Sequence, residues 1–220
     1  MSDDFEFEFK VPLSAVVCSR RNSGKTHMIK HIINHLFVSK LIDYVIIYSE
    51  TAKISRDFSD LVDDNVLMDQ FTEQSINKII NYQIKTKKKK QCLIVLDDTI
   101  SCMGYKFMKE IDRLFSKARH WNISIVLISQ YIKQVVSSIV RSNIDYLLYS
   151  VNTHTVLDFI YDIVVYEGTK KEFIKWSQDN TKDFQFIMFK NIHGGEWLFL
   201  KAPAQLELVK IKSSKIKSKV

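Results

Sequence analysis

The chain has 220 residues, 46% of them hydrophobic, which is enough for one domain with a substantial core and short for two. The low content of glycine and proline excludes long flexible linkers, and no run approaches the roughly 20 apolar residues that span a bilayer. A net charge of +7 favours a polyanionic partner. The N-terminus, MSDDFEFEFK, is acidic and alternating, unlike a secretory signal, so we expect a soluble, intracellular protein.

Apolar runs alternate with amphipathic stretches along most of the chain. The first run, 15–19, leads into the polar segment RRNSGKT, and the spacing of apolar residues after it predicts a helix over 26–38. Further buried strands are predicted at 44–48, 92–96, 123–128 and 146–149, with helices at 73–84 and 106–118 and an amphipathic stretch at 132–140. This rhythm is typical of right-handed βαβ units, so we predict an α/β fold with a mostly parallel central sheet flanked by helices.

The last part of the chain has a different pattern. Two alternating segments, 184–189 and 196–200, flank a pair of glycines and predict an antiparallel β-hairpin added to the edge of the sheet. We therefore divide the chain into a short N-terminal segment at 1–14, one folded domain at 15–203 and a basic tail at 204–220.

Two lysine-rich segments carry much of the positive charge. One is KTKKKK at Lys85–Lys90, and the other is the tail from Lys210 onward. Such runs are commonly solvated loops or chain ends, and they are also the composition that contacts nucleic-acid phosphates. The sequence leaves both interpretations open.

The three cysteines, Cys18, Cys92 and Cys102, form no CxxC pair and no disulfide framework. Cys18 and Cys92 fall inside apolar strand-like runs. We expect both to be small buried hydrophobic residues in a reducing compartment.

A phosphate-binding loop is predicted between the first strand and the first helix. The segment S-R-R-N-S-G-K-T matches the pattern G-x-x-x-x-G-K-[ST] except that serine replaces the first glycine. Its predicted nucleotide-binding residues are Ser19, Arg20, Arg21, Asn22, Ser23, Gly24, Lys25 and Thr26. Backbone N–H groups and the positive end of the following helix attract phosphate, Lys25 reaches the β- and γ-phosphates, and the Thr26 hydroxyl holds Mg²⁺.

The second half of the predicted site is CLIVLDD at 92–98. An apolar strand that ends in acidic residues is the Walker B pattern. Asp97 is expected at the strand tip beside the loop, where it holds Mg²⁺, and Asp98 is expected to orient and deprotonate the attacking water. ATP and Mg²⁺ are therefore the predicted cofactors, and ATP hydrolysis is the predicted reaction.

A third element of the site is Gln130, at the end of the strand ISIVLIS. A polar side chain at that tip can contact the γ-phosphate and sense hydrolysis, although a glutamine can also simply open a loop. The extra strand at 44–48, between the loop helix and the Walker B strand, is the layout of the additional-strand P-loop NTPases.

Together these pieces resemble the genome-packaging ATPases of large eukaryotic DNA viruses and their virophage relatives, within the FtsK/HerA superfamily. The segments that carry the resemblance are VVCSRRNSGKT, LIVLDDTIS, SKARHWNISIVLISQ and VRSNIDYLL, spread over 15–149. The resemblance implies a homo-oligomeric ring (a pentamer or hexamer) that moves double-stranded DNA, docks on a capsid or portal protein and acts in the cytoplasmic virus factory or on the virion. It also implies an arginine that completes the neighbouring subunit's site, with Arg119 the first candidate and Arg141 the second.

Two alternatives to a viral packaging motor remain at this stage. A cellular or plasmid-borne FtsK/HerA-like translocase would share the same motifs, although such proteins are commonly tethered to a membrane. A nucleotide-dependent regulator or small-molecule kinase is less favoured, because no arginine-rich lid is visible in the sequence.

Overall fold

The fold is built on one central sheet. The computed structural model describes residues 7–97, 104–192 and 194–211, and within them eight strands form a sheet in the order β3-β2-β4-β5-β1-β6-β7-β8. Their bounds are β1 Ser14–Cys18, β2 Tyr44–Ser49, β3 Leu67–Met68, β4 Cys92–Asp97, β5 Ile123–Ser129, β6 Tyr146–Tyr149, β7 Gln185–Lys190 and β8 Glu196–Lys201. The strands from β3 to β6 run parallel, and β7 and β8 are antiparallel additions at one edge. The predicted α/β class and the C-terminal hairpin are confirmed.

Helices cover both faces of the sheet. They are α1 Lys25–Val38, α2 Ala52–Ser55, α3 Glu73–Lys85, α4 Tyr105–Lys117, α5 Ile132–Val135, α6 Ser138–Ser142, α7 His154–Tyr161 and α8 Lys170–Asp179. Alternate strand residues therefore point into two separate cores: Val16 and Ile94 pack beneath α3 and α4, and Val17 and Val95 pack beneath α1. Burial on both faces explains why the strands read as continuous apolar runs.

The strand order places β5 between β1 and β4. The extra strand noted in the sequence at 44–48 is β2, and it pairs with the outer side of β4. The inserted strand between the loop strand and the Walker B strand is thus β5, which ends next to Gln130. All five central parallel strands present their carboxyl ends at one edge of the sheet, here called the loop edge.

The stretch 132–140 departs from the single amphipathic element predicted for it. It forms two short helices because Ser137 is extended (φ −68°, ψ 174°) and its hydroxyl accepts a hydrogen bond from the Val140 N–H, which starts α6. The helices α7 and α8 and the two-residue edge strand β3 were not predicted. Among the described residues no helix combines the length and the apolar character needed to cross a membrane.

The segment that follows the hairpin packs back on the domain. Asn34, a buried residue of α1, donates a hydrogen bond to the Glu207 carbonyl (3.2 Å) and accepts one from the Val209 N–H (2.9 Å). Ile211 is buried and its N–H donates to the Leu61 carbonyl (2.8 Å). Residues 204–211, the described part of the predicted basic tail, therefore lie against the domain.

Candidate functional site

The loop between β1 and α1 has the conformation of an anion-binding cradle. Asn22 (φ 58°) and Gly24 (φ 81°) are left-handed, and such alternation turns successive N–H groups toward one concave side. Met28 is the first helical residue whose N–H bonds back to Gly24 (2.9 Å), so the N–H groups of residues 25–27 have no partner within the helix. Neither a side-chain cap nor an acidic residue occupies the first turn of α1, which leaves this positive helix end available to phosphate.

Serine in place of the first glycine is accommodated inside the loop. Ser19 is fully buried, and its hydroxyl lies 2.8 Å from that of Ser23, which in turn donates to the Arg20 carbonyl (2.8 Å). The Ser19 side chain therefore braces the loop internally and does not enter the concave side. Arg20 and Arg21 are exposed and add positive charge at the mouth.

A single cleft of about 430 Å³ at the loop edge is lined by eight of the predicted site residues, among them Lys25, Thr26, Asp97 and Gln130. Arg20, Arg21, Asn22 and Gly24 line it as well. Asp97 is only 9% exposed at the tip of β4, and its carboxylate with the Thr26 hydroxyl supplies the oxygen ligands that Mg²⁺ prefers. These residues fit the predicted Mg²⁺ site. Asp98, the predicted base, lies outside the described residues.

Sequence reasoning missed four residues of this cleft. His27 and Lys30 belong to α1, and the other two are Thr51 and Asp57. These last two follow β2, and a parallel strand next to β4 must end at the same edge, so the predicted strand direction was the available signal.

Arg119 lies at the opposite edge of the sheet. It belongs to a 3-10 turn, Ala118–Trp121, that precedes β5, whereas Gln130 follows the same strand. A strand of seven residues is about 23 Å long, which exceeds the reach of an arginine side chain. Arg119 is half-exposed and forms a loose ion pair with Asp145 (3.8 Å), so the structure does not bring it to the phosphate loop of its own chain.

The second candidate arginine, Arg141, is held within the fold. Its guanidinium carbon lies 4.8 Å from the centre of the Phe159 ring, and its buried Nε has no hydrogen-bond partner. It sits in α6, which leads into the start of β6. Arg119 is therefore the more accessible of the two.

The thiol beside the loop is inert. Cys18, the last residue of β1, is fully buried, and its burial raises its pKa to about 12 even though Lys25 lowers it. Burial likewise raises the pKa of Cys92 to about 12. The interpretation of both as buried hydrophobic residues fits this environment, and Cys102 lies outside the described residues.

Residues 9–185, most of the chain and the whole of this site, match the family model of the poxvirus A32 protein. The chain belongs to that family. The resemblance to viral packaging ATPases drawn from the motifs is confirmed by this match. One curated relative of this A32-family chain is uncharacterized protein 015R of Frog virus 3 (isolate Goorha), 30% identical over 155 residues. That alignment covers 66% of the chain and 46% of the relative, so the chain spans about half the length of the curated relative it matches.

The A32-family chain shares its fold with solved ATPases. It superposes on B204, the DNA-packaging ATPase from Sulfolobus turreted icosahedral virus, with a TM-score of 0.66 and 17% identity over 87% of this chain and 98% of that one. The genome packaging NTPase B204 of the related virus 2, in complex with ATP-gammaS, gives 0.61 and 20% identity with the same coverage. EssC (ATPases 2 and 3) from Geobacillus thermodenitrificans gives 0.56 and 10% identity over 89% of this chain and 40% of that one. The P-loop NTPase fold is thereby established.

Proposed function

We propose that this chain hydrolyses ATP and uses the energy to move double-stranded DNA into a viral capsid. The observation that carries the proposal is the convergence of Lys25, Thr26, Asp97 and Gln130 on one cleft, which is open to an unpartnered helix N-terminus. Membership of the poxvirus A32 family and the fold shared with B204 support the choice of DNA packaging among the reactions of P-loop ATPases.

In this proposal the phosphate chain of ATP lies in the loop, where the first N–H groups of α1 and the Lys25 ammonium stabilise its charge. Thr26 and Asp97 would hold Mg²⁺, which supplies further neutralisation of the β- and γ-phosphates. Asp98 accepts a proton from the attacking water. Gln130, at the tip of the strand between the two motifs, contacts the γ-phosphate and transmits its loss to β5.

Arg119 lies at the edge of the sheet opposite the phosphate-binding loop, and this position supports a ring. An arginine that cannot reach its own loop acts on phosphate only if a second copy brings its loop edge against this edge. We propose that Arg119 completes the neighbour's site in a pentameric or hexameric ring. Its ion pair with Asp145 is a half-exposed contact of the kind that contributes little, so it does not prevent an exchange of partner.

We propose that duplex DNA is the molecule that the motor moves. The proposed docking partner is a capsid or portal protein, and the proposed place of action is the cytoplasmic virus factory or the virion. The exposed side chains of Lys87, Lys88 and Lys89 support DNA binding. They project from a turn that is fastened to the domain, because the Gln83 and Asn122 side-chain amides both donate to the Lys90 carbonyl (2.9 and 3.0 Å). A lysine cluster that is fixed to the domain keeps its position relative to a bound phosphate backbone.

The test is the rate of ATP hydrolysis with and without duplex DNA of several sequences. We expect stimulation by any duplex, loss of the stimulation at high salt and no turnover by Lys25→Ala. Equal rates with and without DNA would favour a nucleotide-dependent regulator.

A cellular or plasmid-borne FtsK/HerA-like DNA translocase is the second candidate, and the fold shared with EssC is compatible with it. If the chain is a packaging motor, infected cells that carry the Lys25→Ala variant should assemble capsids without DNA. Filled capsids would favour a translocase that acts outside packaging.

A further inference from the structure

Phe184 is a large apolar residue placed in the open beside the phosphate loop. Its side chain is 58% exposed and contacts no other aromatic ring among the described residues. A Cβ built on Gly24 would lie 3.1 Å from its Cδ1 atom and 3.5 Å from the Cβ of Ala202. The ring therefore borders the loop at the residue that precedes Lys25.

The backbone holds Phe184 there against its own preference. Asp183 (φ 51°) and Phe184 (φ 61°) are both left-handed, a conformation that is unfavourable for a bulky side chain and that concentrates at ligand sites. Three hydrogen bonds fix this turn: Ala202 N–H to the Phe184 carbonyl (3.1 Å), Gln185 N–H to the Lys182 carbonyl (2.9 Å) and the Ser150 hydroxyl to the Gln185 carbonyl (2.7 Å). The fold therefore holds an apolar ring in solvent, on a backbone conformation that is unfavourable for it.

The sheet order places this ring on the far side of the loop from the predicted hydrolytic groups. From β1, Asp97 lies two strands away in one direction, and β7, which Phe184 precedes, lies two strands away in the other. Each separation is about 10 Å at the usual strand spacing. If the γ-phosphate faces Asp97 and Gln130, the nucleoside end of the same molecule leaves the loop toward β6 and β7.

We propose that Phe184 is the platform on which the base of the bound nucleotide stacks. The proposal rests on the proposed ATP site and adds to it the subsite for the base. Aromatic faces bind bases through their flat surfaces, and this contact tolerates changes of base because every base has a π-face. The phenyl ring carries no hydrogen-bonding group, so ATP and GTP should both use it, and the smaller pyrimidine rings should gain less from it.

The experiment compares a ligand that has a base with one that lacks it. The dissociation constants of Mg·ATP and of inorganic tripolyphosphate with Mg²⁺ are measured by calorimetry for the wild type, Phe184→Ala, Phe184→Leu and Phe184→Trp. Phe199→Ala is the matched control, since Phe199 is a similarly exposed aromatic residue (56%) on the same hairpin, in the middle of β8. Thermal unfolding of each variant checks the fold, and Phe184→Leu keeps an apolar side chain without a flat face.

We expect Phe184→Ala and Phe184→Leu to weaken ATP binding about tenfold and to leave tripolyphosphate binding unchanged. Phe184→Trp should bind ATP as the wild type does, and Phe199→Ala should change neither ligand. Unchanged ATP binding by Phe184→Ala, or equal losses for the two ligands, would overturn the platform. A wild type that binds both ligands equally well would overturn the platform and leave the phosphate site standing, whereas a wild type that binds neither would overturn both.

Discussion

The side-chain hydroxyls of Ser19 and Ser23 are hydrogen-bonded across the base of the phosphate-binding loop, 2.8 Å apart and shielded from solvent. The loop pattern usually has a glycine at the position of Ser19, and here a hydrogen bond inside the loop holds that position instead. The loop reaches its left-handed turns at Asn22 and Gly24 without a glycine at its first position.

The first prediction tests this brace. Ser23→Ala removes one hydroxyl and leaves that of Ser19 buried without its partner, so we expect a loss of about 1–3 kcal/mol in the free energy of unfolding and weaker ATP binding. Ser19→Ala combined with Ser23→Ala removes both hydroxyls and should recover part of the loss. The measurement is a double-mutant cycle on thermal unfolding and on the ATP dissociation constant. Additive effects of the two substitutions would mean that the Ser19 and Ser23 side chains have no interaction energy.

The second prediction separates the two acidic residues at the end of β4. Asp97→Asn should raise the Mg²⁺ concentration required for ATP binding, because Asp97 lies in the cleft with Thr26. Asp98→Asn should bind Mg·ATP normally and hydrolyse it slowly, because an amide cannot accept the proton. Nucleotide binding and single-turnover hydrolysis, each titrated with Mg²⁺, distinguish the variants. The reverse pattern would exchange the two roles.

The third prediction concerns Arg119 and assembly. Arg119→Ala should bind ATP normally and hydrolyse it about 10³-fold or more slowly, as losing an arginine finger does. Mixing inactive Arg119→Ala with inactive Lys25→Ala should restore part of the activity, because some interfaces then pair an intact loop with an intact arginine.

Recovery in this mixture should require a protein concentration at which oligomers form, and Arg141→Ala serves as the matched variant. If mixed oligomers form and no activity returns at any ratio, Arg119 does not act between subunits.

The positions of these residues were predictable to different degrees. Asp97 and Gln130 could be assigned because parallel strands end at a common edge, so two polar residues that follow two apolar runs must meet there. The same rule, applied to the start of a strand, puts Arg119 at the far edge. Phe184 could not be assigned, since its segment alternates like a strand, and its left-handed backbone is imposed by contacts with Ala202 and Ser150 that are distant in sequence.

The elements that the sequence did not reveal are those with short or mixed patterns. The helices α7 and α8 have eight and ten residues, so each offers only about two or three turns of apolar spacing, and Phe173 and Trp176 of α8 pack against Tyr166, which lies between the two helices. The separation of α5 from α6 falls at Val136 and Ser137, which are both extended, and the Ser137 hydroxyl caps a helix of only five residues. Local capping of this kind is weak compared with the apolar periodicity that predicted a single stretch.

The fourth prediction tests the lysine turn as a DNA contact. Replacing Lys87, Lys88 and Lys89 with glutamine should weaken duplex binding at low salt and reduce the slope of log affinity against log salt by up to about 3, since each lost phosphate contact removes about one released counterion. Basal ATP hydrolysis without DNA should be unchanged. A matched control replaces three exposed lysines elsewhere, at 171, 175 and 201. Equal effects of the two triple variants would mean that the turn contributes to DNA binding only through the overall positive charge of the protein.

The fifth prediction follows from the raised pKa values of Cys18 and Cys92, measured in a Cys102→Ser background. Burial keeps both thiols protonated in the folded protein up to a pKa of about 12, so iodoacetamide at pH 8 should label them only after denaturant is added. Between the ordinary thiol pKa near 9 and that value, the unfolded chain loses protons that the folded chain retains, so stability should fall as pH rises. Rapid labelling of the native protein would contradict this burial.

The contact between Asn34 and residues 207–209 has a consequence for the order in which the protein is made. The helix that begins at Lys25 has a buried amide whose partners, the Glu207 carbonyl and the Val209 N–H, are synthesised more than 170 residues later. Until they leave the ribosome, that amide must be hydrated or remain unsatisfied, and a buried polar group without a partner destabilises its surroundings by about 1–3 kcal/mol. The helix that begins the nucleotide site is therefore among the last elements to reach its final packing during translation.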